Sequence, residues 1–160
     1  MVKLFLSDVD GVMTDSGMYY AEDGNEFKKF NTRDGMAFEI LRSYGIKTGI
    51  ITSEDTKIVT KRAKKIKSDY LFQGKIYGGK LHAALEICRI ENIDISQVAY
   101  IGDDINCIEL LSSVGYAACP IDAHEKVKNI PNIIVLKKKG GFGVVREFVD
   151  LLLSIELINT

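Results

Sequence analysis

The chain has 160 residues, 21 Lys and Arg against 22 Asp and Glu, 46% hydrophobic residues and no Trp. One fold of this size removes roughly two-thirds of its chain's surface from water, so a single domain over 1–160 is expected, needing neither a disulfide nor a structural metal. Near-neutral charge argues against a nucleic-acid partner. Three unpatterned cysteines, Cys88, Cys107 and Cys119, give no disulfide or zinc framework, and the lack of a long apolar run predicts a cytoplasmic protein with no membrane partner.

Short apolar runs at 2–7, 47–51, 70–72, 98–101, 115–118 and 133–136 read as buried parallel strands. Segments of helical period at 35–44, 55–67, 80–91, 105–113, 123–128 and 144–153 lie between and after them. The alternation predicts an α/β, Rossmann-like parallel sheet with flanking helices. Residues 17–30 break it: Met18, Tyr19 and Tyr20, then a Gly24-containing turn, then Phe27 and Phe30 read as a β-hairpin flap over the sheet's carboxyl edge. Its apolar side chains have little core of their own and call for a subunit interface.

Chemistry gathers at the strand ends. Asp8-Val9-Asp10-Gly11 follows the first strand and Gly102-Asp103-Asp104 follows the run at 98–101. An isolated Asp-x-Asp reads best as an Asx turn or cap, but in a parallel sheet two acidic strand ends converge on one edge. Clustered carboxylates repel unless a cation joins them, and hard oxygen donors suit Mg²⁺. Thr52 and Ser53 end another strand, and Lys80 follows glycines at a helix start. Singly they read as a cap and a surface charge; together, a hydroxyl and an ammonium beside a metal-bound carboxylate bind phosphoryl oxygens. His82 and His124 read as surface or packing residues. Gly140-Gly141-Phe142-Gly143 reads either as a flexible helix entry or as a backbone anion nest, and Lys137–Lys139 as solvent-facing.

Asp8 to Asp15, Thr52, Lys80 and Gly102-Asp103-Asp104 resemble the four ordered motifs of the haloacid dehalogenase phosphatase superfamily. Phe30 to Gly35, Tyr70 to Gly74, Asp122-Ala123-His124 and Gly140 to Glu147 resemble its 3-deoxy-D-manno-octulosonate 8-phosphate phosphatases and their relatives acting on nine-carbon keto-sugar acid 9-phosphates. The resemblance implies an Mg²⁺-dependent phosphatase without a cap domain. It implies Asp8 as nucleophile forming an aspartyl-phosphate, Asp10 as general acid and base, and Thr52 and Lys80 as phosphoryl ligands. Mg²⁺ would lie on Asp8, the Asp10 carbonyl, Asp103 and Asp104.

Two departures from the family pattern bear on function. Cys107 stands where a further Asp is common, and Ser53-Glu54 stands where the octulosonate enzymes usually carry Gly-Arg. The second change resembles the nine-carbon branch, so KDN 9-phosphate or N-acetylneuraminate 9-phosphate is the expected substrate, with 3-deoxy-D-manno-octulosonate 8-phosphate the alternative. The resemblance also implies a homotetramer whose subunits complete one another's sites. In that assembly Arg62, on a basic helix, would clamp the substrate carboxylate and Lys65 would pair with Glu54 across the interface. Rivals of another class are a phosphoacceptor signalling domain and a catalytically idle scaffold.

Overall fold

In the computed structural model, which describes residues 1–76 and 78–158, every long apolar run becomes a strand of one sheet. The strands are β1 (Leu4–Ser7), β4 (Lys47–Ile51), β5 (Tyr70–Phe72), β6 (Val98–Ile101), β7 (Tyr116–Cys119) and β8 (Ile134–Val135). They pair in parallel in the order β5-β4-β1-β6-β7-β8. Strand order reverses on either side of β1, which opens a crevice at the carboxyl ends of β1, β4 and β6.

Helices cover both faces, as right-handed crossovers require. Alternation along the strands divides the core: Phe5, Ile50, Ala99 and Ala118 pack with α1 (Thr32–Ser43), α2 (Lys57–Ile66) and α6 (Val144–Ser154). Leu4, Leu6, Val98 and Tyr100 pack on the other face with α3 (Gly79–Glu91), α4 (Ile108–Leu111) and α5 (Glu125–Lys128). No helix among the described residues is long and apolar enough to cross a membrane.

Boundaries shift where caps decide them. The helix expected from 35 begins at Thr32, because the Asn31 side chain accepts from the Arg33 amide. The helix expected over 105–113 is a 3₁₀ turn, Ile105–Cys107, followed by the short α4. Asp104 caps that turn by accepting from the Ile105 amide at 2.7 Å.

The flap is smaller than the span 17–30 suggests. Its paired strands are β2 (Tyr19–Tyr20) and β3 (Glu26–Phe27), joined by a turn in which Gly24 takes φ +85°. Met18, Tyr20 and Phe27 are about 60% exposed, as a hairpin without its own core must leave them. Phe30 departs from this expectation: it bridges Thr14, packs against the core and lies under the Arg62 guanidinium.

The Gly140-Gly141 pair supports the acidic loop by close backbone approach, which neither sequence-based reading anticipated. A Cβ on Gly140 would lie 2.0 Å from the Gly11 carbonyl oxygen, and the Gly141 amide donates to the Val12 carbonyl at 2.9 Å. Main chain cannot rotate aside as a side chain can. Gly140→Ala is therefore expected to cost about 2–3 kcal/mol or more, read as a lower urea midpoint at unchanged slope; an unaltered midpoint would refute the contact.

Candidate active site

The carboxyl edge brings together most of the residues singled out in the sequence. A cavity of about 210 Å³ is lined by Asp8, Asp10, Thr52, Ser53, Glu54, Lys80, Asp103 and Asp104, with Ser16 and Asn106. Asp8 leaves central β1, Thr52 leaves β4 and Asp103 leaves β6, so three adjacent parallel strands deliver one group each.

Asp8 is held on both oxygens. Its Oδ1 accepts from the Val9 amide at 2.8 Å, and its Oδ2 lies 2.5 Å from Lys80 Nζ. Asp8 and Lys80 are 4% and 2% exposed, so this is a buried ion pair whose geometry is fixed from both sides. Burial pulls the Lys80 ammonium down, but the Asp8 carboxylate beside it pulls harder, and the net displacement is upward. Lys80 keeps its charge. Thr52 is 2% exposed, and loop 52–56 is tied to the 73–75 segment by the Lys75 amide donating to the Thr52 carbonyl.

Asp103 carries the strongest charge crowding. Burial, then the charges of Asp8 and Asp104, push its carboxyl up to about 8. Gly11, at φ +80°, passes so close that a Cβ there would sit 1.8 Å from Asp103 Oδ2. Asp8, Asp103 and Cys107 offer atoms all within 4.8 Å of one another. A pair of facing carboxylates, one of them held from ionising by burial and then by its neighbours' charges, is a hard-oxygen site that a divalent cation would relieve, and the donor set fits Mg²⁺.

Cys107 is no ligand for such an ion. Burial and the Asp8 charge push its thiol up to about 12, so it stays protonated, at 3.0 Å from Asp8 Oδ2 and 3.3 Å from Lys80 Nζ. A neutral soft sulfur suits Mg²⁺ poorly; the thiol instead fills the place beside the Asp8–Lys80 pair. Asp104 lines the cavity, but its carboxylate is occupied in capping the turn that follows, and it is not one of the three clustered donors.

Two residues outside the sequence-based set complete the site. Asn106 Nδ2 donates to Ser53 Oγ at 2.9 Å, and Ser53 in turn donates to the Lys75 carbonyl, so this hydroxyl helps to tie the cavity wall together. Lys28 reaches in from the residue after β3 and bonds both Asp10 and Glu54, at 2.7 and 2.8 Å.

The second contact bears on Glu54, for which a Lys65 partner from a neighbouring subunit is expected. Glu54 already has a lysine within its own chain, and Lys65 is exposed on a different surface. Arg62 and Lys65 line a groove of about 340 Å³ between α1 and α2, with Arg42, Glu39 and Met36. Arg62 is partly buried, donates to the Asn31 carbonyl at 3.0 Å and lies 5.2 Å from the Phe30 ring centroid. Within one chain, neither Arg62 nor Lys65 joins the acidic cavity.

A family model described as haloacid dehalogenase-like hydrolase matches residues 12–148. The chain belongs to this family. It is 37% identical over 153 residues to 3-deoxy-D-manno-octulosonate 8-phosphate phosphatase of Yersinia pestis, covering 95% of this chain and 80% of that protein. The corresponding Haemophilus influenzae enzyme is 30% identical, with 97% and 84% covered. Among solved structures, the Moraxella catarrhalis octulosonate 8-phosphate phosphatase in complex with magnesium, phosphate and KDO superposes with a TM-score of 0.89 at 33% identity, covering 96% of this chain and 86% of that one. The cobalt-bound Haemophilus influenzae enzyme gives 0.88 at 30% identity, covering 96% and 88%. The parallel sheet with flanking helices is thus the fold of this family, and the chain is a phosphatase.

Proposed function

We propose that the enzyme hydrolyses a phosphorylated keto-sugar acid through an aspartyl-phosphate, with 3-deoxy-D-manno-octulosonate 8-phosphate as the first candidate substrate. The observation that carries the reaction type is the fixed Asp8–Lys80 pair beside Thr52 and Asp103. The Yersinia pestis, Haemophilus influenzae and Moraxella catarrhalis relatives, each named for the eight-carbon substrate, carry the substrate class.

Asp8 attacks phosphorus, the bond from phosphorus to the sugar oxygen breaks, and Asp10 gives that oxygen its proton. Lys80 and the Thr52 hydroxyl hold the non-bridging oxygens as charge moves between them. Asp10, now a carboxylate, takes a proton from the water that attacks the aspartyl-phosphate, which frees Asp8 and inorganic phosphate. Mg²⁺ is the cofactor. Asp8, the Asp10 carbonyl and Asp103 would hold it, with Asp104 lining the same cavity, and it would offset the repulsion between an anionic nucleophile and an anionic phosphate.

A nine-carbon 9-phosphate is the second reading, favoured by Ser53-Glu54. Glu54 presents a carboxylate to the cavity and would accept hydrogen bonds from sugar hydroxyls, where an arginine would instead receive a carboxylate. A homotetramer goes with either reading, supported by the exposed flap residues Tyr20 and Phe27; in it, Arg62 would serve a neighbour's substrate. Comparison of kcat/KM for KDN 9-phosphate, N-acetylneuraminate 9-phosphate and the octulosonate 8-phosphate decides the substrate. The eight-carbon ester is expected to exceed the others by about 10-fold or more, the scale of one good polar contact. A reversed order would install the nine-carbon reading. Stoichiometric labelling of Asp8 without turnover would make the protein a phosphoacceptor.

A further inference from the structure

Lysine heads ordinarily stay in water. The Lys28 side chain is 4% exposed, while Asp10 and Glu54, between which it lies, are 36% and 42% exposed. The ammonium is therefore tucked beneath the carboxylates, with Glu26 Oε1 a third neighbour at 3.6 Å. Asp10 and Glu54 accept two of the ammonium's protons, while Glu26 is near enough only for charge attraction.

The two oxygens of Asp10 are not equivalent. Oδ1 receives Lys28 at 2.7 Å and the Thr14 hydroxyl at 3.3 Å, whereas Oδ2 has no partner among the described residues. A general acid needs this asymmetry: one oxygen anchored so that the carboxyl plane is fixed, the other free to carry the transferable proton toward substrate. Asp10 follows Asp8 by two residues on a loop supported at Gly11 and Val12, but that backbone support does not set its side-chain torsions. Lys28, one residue beyond β3, does.

We propose that Lys28 is the positioning residue of the acid step: it pins Asp10 Oδ1 so that Oδ2 delivers the proton to the leaving oxygen, and Glu54 is the counter-anchor that holds the ammonium there. The inference rests on the reading of Asp10 as acid and base. Lys28 keeps its three protons throughout. The proton on Oδ2 moves to the sugar oxygen as its bond to phosphorus breaks, and Oδ2 later receives one from the attacking water. A consequence follows for the flap. Because Lys28 is carried by the hairpin, a displaced flap would leave the phosphate ligands in place and misdirect only the acid.

The test varies how much the leaving group needs a proton. The alkoxide of a sugar phosphate needs one; the phenolate of 4-nitrophenyl phosphate leaves without it. Lys28→Met, which keeps the stem and removes the ammonium, is expected to lower kcat/KM about 10- to 100-fold for the sugar phosphate and less than about 3-fold for the aryl ester, within the range that general acids supply. Lys28→Arg should restore at least part of the sugar-phosphate rate. Equal losses on both esters with no rescue by Arg would reduce Lys28 to a structural ion pair and overturn the proposal. Asp10→Asn separates the two layers. If it shows the ester-dependent loss and Lys28→Met does not, the positioning role fails alone; if Asp10→Asn shows none, the acid assignment beneath it fails.

Discussion

Asp8→Asn is expected to lower kcat at least about 10⁴-fold, as removal of a covalent nucleophile does in enzymes whose catalytic groups act as a unit. The substitution is nearly isosteric and keeps an oxygen for Lys80, so the site should retain its shape while losing the anion that attacks phosphorus. The cost to folding comes from the ammonium. Lys80 is 2% exposed and has Asp8 as its bonded carboxylate, so neutralising the partner leaves a buried charge short of compensation. Breaking such pairs typically costs about 3–5 kcal/mol, reduced here by the amide oxygen that remains. Acid-quench trapping of an alkali- and hydroxylamine-labile phosphoryl group on wild-type protein, absent in the variant, would complete the assignment. A variant that keeps more than a few per cent of wild-type kcat with its fold intact would transfer the nucleophile's role elsewhere.

The sheet was readable because its central strands, β1, β4 and β6, are buried on both faces. The runs at 47–51, 70–72 and 98–101 need no partner pattern to be recognised, and they coincide with β4, β5 and β6. Asp8, Thr52 and Asp103 were readable for the same reason: each follows an unmistakable strand, so its place at the carboxyl edge is a matter of topology. Lys80 needed more, since its helix begins after glycines with no capping side chain.

Residues whose roles depend on loop geometry were harder to read. Lys28 is one of 21 basic residues, and it lies 18 and 26 positions from the carboxylates that it bridges. A signal was present: Glu26 and Lys28 alternate with Phe27 and Lys29, placing the first pair on one face of a hairpin already expected to overhang acidic strand ends. Arg62 illustrates the converse. It sits beside Val59, Ala63 and Ile66 on the buried stripe of α2, so helical periodicity alone accounts for its partial burial and for its contacts with Phe30 and Asn31. Gly140 and Gly141 carried no signal beyond their being glycine, because what they must clear is the backbone of a loop more than a hundred residues away.

Asp103→Asn should abolish the protein's response to metal. Without Mg²⁺, the folded Asp103 carboxyl titrates at about 8, well above the usual carboxylate value. A folded value above the unfolded one means that the folded state retains a proton which the unfolded chain releases. The stabilising contribution is therefore complete below about pH 4 and is lost as pH climbs from there to about 8. The wild-type apoprotein should accordingly lose stability across that window on account of this residue, and the Asn variant, having nothing to ionise, should not. In EDTA at pH 8, Asp103→Asn is expected to melt about 3–10 °C above wild type, given that 1 kcal/mol moves Tm about 2–4 °C at this chain size. Saturating Mg²⁺ should raise the wild-type Tm and leave the variant nearly unmoved, with turnover reduced more than about 100-fold, the upper loss typical even of residues that merely support a ligand. Since the cation must displace the Asp103 proton, its binding below pH 8 should release up to one proton per site, measurable by titration calorimetry in two buffers of different ionisation enthalpy. A variant apoprotein less stable than wild type at pH 8, or Mg²⁺ binding without proton release, would mean that the crowding at Asp103 is relieved by something other than a cation.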